Sequence, residues 1–238
     1  MKIKKTKLKK GLIIIPARGG SKGIKNKNII DVCGKPLISY TIFPALKAKK
    51  SGIVEDVVVS TDSQKFADIS KKLGANVPFM RPESISGDKS KSIDFMLHAV
   101  DYFEIKKIFY DYIVLLQPTS PLRSYEDIKG AVGLYLKGKS DSLISVCKEE
   151  RVDETELYYK NNDVGIPLSI NHNKGIRRQE LKELFIRNAA IYITSVEYLK
   201  KNKRIISDSP LLFEMPEKRS IDIDTKNDLE RLRKFLYK

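Results

Sequence analysis

Short, apolar, β-rich runs alternate with amphipathic helical patterns along most of this chain, and that alternation narrows the fold more than any other feature. LIIIP at 12–16, VVVS at 57–60, YIVLL at 112–116 and SLISVC at 142–147 read as strands buried on both faces. Between them, Ile93, Met96, Leu97, Val100 and Phe103 recur at helical spacing. Ile128, Ala131, Val132 and Tyr135 form a second such stripe behind a Ser124/Asp127 capping box. Pro36 sits where a first helical turn would begin, and Pro44 is expected to kink that helix. Asp62 is the expected cap of a helix that closes at Gly74. This rhythm predicts an α/β chain, with a mostly parallel sheet covered on both faces.

The rhythm breaks after Cys147. Residues 148–187 are polar and read as an excursion from the sheet, carrying Arg177-Arg178-Gln179. Strand character returns with AAIYIT, SIDID at 220–224 reads as a short last strand, and Leu229, Leu232, Phe235 and Leu236 line a closing helix. Residues 1–238 therefore read as one domain with one excursion.

Composition removes several classes. No stretch approaches the ~20 apolar residues of a membrane span. Six of the first ten residues are lysines, but the LIII that follows is too short for a signal core, so a cytoplasmic location is expected. Cys33 and Cys147 are far apart and in no metal-ligand spacing, which argues against a disulfide scaffold or a zinc site. His98 lies off the apolar stripe of its helix and His172 in the excursion. Both read as surface histidines, and neither has a Ser or Cys partner for a hydrolytic triad. The charge balance, 45 basic against 30 acidic residues, gives +15. A lysine-rich solvated surface explains most of it; nucleic acid, an anionic membrane or small anionic substrates would explain the rest. No aromatic stacking pattern of the RNA-binding kind is present.

Four segments carry candidate chemistry. PARGGSKGIKNKN at 16–28 directly follows the first strand. Gly19, Gly20 and Gly23 permit positive φ and close approach of backbone to a ligand, and their amides can face phosphate oxygens. Arg18, Lys22, Lys25 and Lys27 supply cations suited to a triphosphate, although the pattern is neither of the common phosphate-loop or dinucleotide signatures. In SIDID, Asp222 and Asp224 would share a strand face ~6.6 Å apart and converge on Mg²⁺; alternatively, Asp224 simply caps the last helix. LLQPTSPLR at 115–123 places Gln117, Thr119, Ser120 and Arg123 at a strand's carboxyl end, where ligands bind in open α/β sheets. Arg81-Pro82-Glu83 with Ser92 is a weaker signal.

These segments in this order, with STD at 60–62, RRQ at 177–179 and NAAIYI at 188–193, resemble the acylneuraminate cytidylyltransferases over almost the whole chain. The resemblance implies a Rossmann-like, three-layer α/β/α nucleotidyltransferase fold with a dimerisation excursion. It implies transfer of CMP from CTP to the anomeric hydroxyl of a nine-carbon 2-keto acid sugar, with release of pyrophosphate. By the same resemblance, Arg18, Ser21, Lys22, Lys27 and Asn28 hold the triphosphate and ribose, and Arg81 and Ser92 recognise cytosine. Gln117 contacts the sugar, with Thr119, Ser120 and Asn188 beside it. Asp222 and Asp224 bind Mg²⁺, and Arg178 reaches into the partner's sugar site of a homodimer.

Departures from the family pattern cluster on the sugar side. KEERVDETE at 148–156 lacks the usual Pro with a Lys or aromatic; Ile186 stands where an Arg is usual, and Asn188-Ala189-Ala190 replaces Asn-Gly-Ala. Lys25 stands at a common Pro position in the loop. A bacterial relative of sialic acid such as legionaminic acid is therefore a candidate acceptor. The competing readings are a Kdo-type or other sugar nucleotidyltransferase, a basic nucleic-acid-binding module, and a non-catalytic nucleotide-binding relative. The pair of aspartates and the loop lysines argue against the last.

Overall fold

The structure, a computed structural model, describes residues 9–20 and 23–237. Among them, ten strands and six α-helices follow in chain order. The first half comprises β1 (Gly11–Pro16), β2 (Asp31–Val32), β3 (Lys35–Pro36), α1 (Ser39–Lys50), β4 (Asp56–Ser60), α2 (Gln64–Lys72), α3 (Ser92–Ile105), β5 (Tyr112–Leu115) and α4 (Tyr125–Lys137). The second comprises β6 (Ser142–Glu149), β7 (Tyr158–Asn161), β8 (Val164–Pro167), β9 (Leu184–Ser195), α5 (Val196–Asn202), β10 (Leu211–Glu214) and α6 (Lys226–Leu236).

Six strands form the central sheet in the order β10-β6-β9-β5-β1-β4. β1 runs parallel to β4 and β5, and β10 parallel to β6, whereas β9 is antiparallel to both its neighbours. Alternation along the strands sorts the core. Ile13, Ile15, Val57, Val59 and Val114 face α1, α2 and α4, while Leu12, Ile14, Val58, Ile113 and Leu115 face α3 and α5. This is the three-layer α/β arrangement that the apolar runs predict.

Several local expectations are corrected. Pro36 does not open a helix; it ends a tiny hairpin whose turn residues Cys33 and Gly34 have φ of 52° and 79°, the positive values a tight hairpin turn needs. α1 starts at Ser39 and continues through Pro44. Ser63, not Asp62, caps α2, its side chain accepting from the Phe66 amide. SIDID is not a strand: residues 220–224 are irregular, and Thr225 with Asp228 forms the capping box of α6, so Asp224 is not its cap. The excursion is shorter than its composition implies, because β6 and β9 stay paired out to Glu149 and Leu184. Its middle forms the β7–β8 hairpin. His98 is half-buried, edge-on to Phe79 at 4.8 Å, and burial lowers its pKa with a further push from Arg81.

A third apolar cluster positions the site. Ile24 from the glycine loop, Val32, Leu37, Leu122, Ile223, Leu229 and Leu232 pack together, so α6 and the acidic segment are drawn against the loops that follow β1 and β5. Ile223, between the two aspartates, is fully buried and acts as the anchor.

The β6/β9 pairing slips at Ile144/Val146, and opposite that slip Ala189 has φ 58°. A left-handed conformation costs an alanine ~1–2 kcal/mol, part of which glycine returns through its larger unfolded-state entropy. Ala189→Gly is therefore expected to stabilise the protein by about 0.5–1 kcal/mol, read as a rise in Tm; a fall in Tm would contradict the strain.

Candidate active site

The loops after β1 and β5 flank the point where strand order reverses, since β4 lies on one side of β1 and β5 on the other. Such a point is where open α/β sheets bind ligands. A cavity of about 380 Å³ lies there. Arg18, Gly23, Lys27 and Asn28 line it from the glycine loop, and Arg81 and Ser92 from the segment leading into α3. Gln117 and Thr119 come from the loop after β5, and Asp224 from the carboxyl end of the chain.

Two ends of the chain meet across this cavity. The Lys27 ammonium donates to the Ile223 carbonyl at 2.8 Å and to Asp224 Oδ1 at 3.0 Å. The Ile223 amide donates to the Thr119 carbonyl at 2.8 Å. Gly23 lies so close to the acidic segment that a β-carbon there would sit 2.8 Å from the Asp224 carbonyl oxygen. Neither Gly19 nor Gly20 has positive φ, and Asn26, at φ 55°, makes a left-handed turn in the loop. Gly23 is required for its proximity to the acidic segment. Gly23→Ala is expected to push the acidic segment away and raise the KM for the triphosphate expected at this loop at least ten-fold while lowering Tm by only a few degrees; unchanged kinetics would show that the gap is not functional.

The two aspartates differ in environment. The Asp224 side chain is 71% exposed and paired with Lys27. Asp222 is half-buried, and its Oδ1 is buried without a hydrogen-bond partner among the described residues. Burial raises the Asp222 pKa; the facing Thr119 hydroxyl and Lys27 act downward, and Asp224 and Asp228 upward. Arg18 reaches Asp88 at 2.9 Å on the rim of the cavity. Arg81 is buried, its Nε and Nη2 donating to Ser60 Oγ and Ser60 O at 3.1 and 2.6 Å, and its guanidinium lies 4.5 Å over the Phe95 ring. Burial lowers its pKa to about 10, with Asp62 opposing, so it carries its charge at neutral pH.

Other expected site residues lie behind the cavity or away from it. Ser120 is fully buried with its hydroxyl on the Asn188 carbonyl. Asn188 is buried too: its Oδ1 accepts from Ser145 Oγ and its Nδ2 donates to Ser220 Oγ, tying the β9 irregularity to the acidic segment. Neither Ser120 nor Asn188 lines the cavity, because the backbone and neighbouring hydroxyls already take up their polar atoms. Lys25 is exposed, and Gly20 has open space around it. Ser21 and Lys22 lie outside the described residues. Arg178 falls in the 3₁₀ turn Arg178–Glu180. A second cavity, of about 540 Å³, has Lys148, Glu149 and Arg151 of the departing segment 148–156 on one side and Gln179, Lys182 and Glu183 on the other.

Asp88, Ser86, Ser90 and Phe95 line the first cavity although no sequence signal singles them out; the Ser/Gly/Asp-rich stretch 84–90 marks a loop but not what it faces.

The fold is that of the α/β nucleotidyltransferases. It is similar to CMP:2-keto-3-deoxy-manno-octonic acid synthetase complexed with CTP, with a TM-score of 0.69 and 19% identity, over 96% of this chain and 98% of that one. The chain belongs to the cytidylyltransferase family, whose profile matches residues 12–235. It is 34% identical to pseudaminic acid cytidylyltransferase of Campylobacter jejuni subsp. jejuni serotype O:2, over 96% of this chain and 97% of that protein. It is also 34% identical to CMP-N,N'-diacetyllegionaminic acid synthase of Legionella pneumophila, over 91% and 92% respectively. Among the described residues, no helix is long and apolar enough to cross a membrane.

Proposed function

We propose that this cytidylyltransferase transfers CMP from CTP to the anomeric hydroxyl of a nine-carbon 2-keto acid sugar, a nonulosonic acid, and releases pyrophosphate. The observation that carries this reading is the cavity in which a cationic glycine loop, Arg81, Gln117 and the Lys27–Asp224 pair face one another. The sugar hydroxyl oxygen attacks the α-phosphorus, the bond to the pyrophosphate oxygen breaks, and the hydroxyl proton leaves to a base in the site. Arg18, Lys22 and Lys27 offset the charge that grows on the leaving pyrophosphate. Asn28, lining the cavity below Arg18, is assigned to the ribose, and Arg81 and Ser92 to the cytosine.

The residues fit a magnesium ion. Among the described residues no cluster of three or more metal-ligating side chains exists. Mg²⁺ commonly takes only one or two carboxylates and draws its other oxygens from phosphate and water. Asp222, with its unpartnered Oδ1, and Asp224 would hold it, and when bound it would supply Lewis-acid stabilisation of charge on the phosphoryl oxygens.

Gln117 and Thr119 are assigned to the sugar side, with Arg178 as a bidentate partner for its carboxylate across a homodimer. The β7–β8 hairpin supports the dimer. Tyr159, Val164 and Ile166 share one face of it and are 45–66% exposed, an apolar face of the kind subunits cover.

The relatives named for pseudaminic and N,N'-diacetyllegionaminic acid stand at the same identity, so the acceptor is assigned as a class. The deciding experiment incubates the protein with CTP, Mg²⁺ and a panel of pseudaminic, legionaminic, N-acetylneuraminic and Kdo acids, reading pyrophosphate and product mass. A CMP-nonulosonate is expected. Product with Kdo alone would move the acceptor to eight-carbon acids, and release only with a sugar 1-phosphate would overturn the reading.

A further inference from the structure

We propose that Asp62 is a positioning residue for the nucleotide site: it holds the glycine loop from the end of β4 and thereby sets the direction of Arg18. This rests on the reading of residues 16–28 as the cradle of the CTP phosphates. The helix-capping duty that its place in the sequence implies belongs to Ser63, which leaves the Asp62 carboxylate for another partner. That partner is the Gly19 amide, which donates to Asp62 Oδ1 at 2.8 Å across 43 residues of sequence. The Gly19 amide is therefore committed to the protein rather than to a phosphate, and the 18–19 peptide is turned so that the Arg18 side chain reaches the cavity.

The Ser60-Thr61-Asp62 stretch is a hub between the two walls of the cavity. Ser60 O accepts from the Ala17 amide at 2.9 Å and from Arg81 Nη2 at 2.6 Å, and Thr61 O accepts from the Arg81 amide at 2.7 Å. The first two positions thus tie the start of the loop to Arg81 through backbone and hydroxyl groups. Asp62 extends the tie by two residues, to the point where the loop leaves the sheet and no strand pairing holds it. The loop also lies close against the neighbouring Ser63: a β-carbon on Gly19 would come within 3.1 Å of Ser63 Cβ. A carboxylate accepting from an amide makes a stronger tie than a neutral acceptor, yet an asparagine oxygen can take the same hydrogen bond.

The test compares Asp62→Ala and Asp62→Asn with the parent protein by calorimetric CTP binding, steady-state kinetics, thermal melting and hydrogen exchange at Gly19. In Asp62→Ala the CTP Kd and KM are expected to rise about ten-fold, the KM for the acid sugar to change less than two-fold, and the Gly19 amide to exchange faster. Asp62→Asn is expected to recover the CTP Kd to within about three-fold of the parent and to restore Gly19 protection. Equal loss in both variants would assign the effect to charge and overturn the inference, as would CTP binding in Asp62→Ala equal to that of the parent. A fall in Tm with CTP and sugar KM moving together would mean a purely structural role. Should Asp62→Ala not fold, failure of Asp62→Asn to protect Gly19 would overturn the inference by itself. A parent protein that binds no CTP would instead overturn the reading of the loop.

Discussion

Replacing Asp224 by Asn lowers turnover by ~10²–10³, the scale of losing one preorganised electrostatic stabiliser. The substitution keeps the shape of the side chain and removes its charge. Lys27 still has the Ile223 carbonyl at 2.8 Å to hold it, so the loop keeps its place. The side chain is 71% exposed, and the melting temperature is expected to stay within a degree or two of the parent. CTP binding without metal survives, because the change removes a negative charge from beside a polyanion. Rapid-quench turnover with paired calorimetry separates these quantities. Turnover equal to the parent would take Asp224 out of the site, and with it the idea that the two ends of the chain act on one substrate.

The largest stability effect is expected at Arg123. Its side chain is 1% exposed, yet it carries a guanidinium whose partners are all neutral: Ala190 O at 2.7 Å, Gln117 O at 3.1 Å and Thr41 Oγ1 at 2.7 Å. Burial lowers its pKa to about 9, with Asp127 opposing, so the group is charged at neutral pH. These contacts join α1, β9 and the loop after β5. Removing a buried charge relieves its desolvation, which alone would make a hydrophobic replacement tolerable. Here, however, Ala190 O and Thr41 Oγ1 remain buried, and each one left bare costs ~1–3 kcal/mol. Arg123→Met is therefore expected to lose about 3–5 kcal/mol in denaturant unfolding. A loss below about 1 kcal/mol would mean that water or relaxation satisfies those carbonyls. Because Gln117 lines the cavity, a shifted Gln117 would also raise the KM for the sugar.

Features set by neighbours along the chain are legible in the amino-acid order alone. The alternation in LIIIP and YIVLL places successive residues on opposite faces of a buried sheet, and Ser124 with Asp127 forms the expected capping box of α4. Both depend on spacings of two to four residues, which a sequence displays directly. Misreadings arise where two adjacent residues could do the same job. Ser63 and Asp62 are both good helix caps, and only the position of the Gly19 amide, 43 residues away, shows why the serine takes the cap. Ser120 and Asn188 look like ligand-binding groups by type, but the slip between β6 and β9 draws their polar atoms inward.

The acidic segment shows the division most clearly. The sequence by itself determined that a glycine-rich cationic loop follows the first strand and that two aspartates stand near the carboxyl end, since residue types and short spacings are all those statements require. Only the tertiary structure decided that they meet. Alternation in SIDID predicts a strand, but burial of Ile223 among Ile24, Leu122 and Leu229 holds the segment as irregular chain. Lys27 then pairs with Asp224 across 197 residues. Contacts at that separation are set by which apolar surfaces find one another during packing, and no local spacing along a chain encodes them.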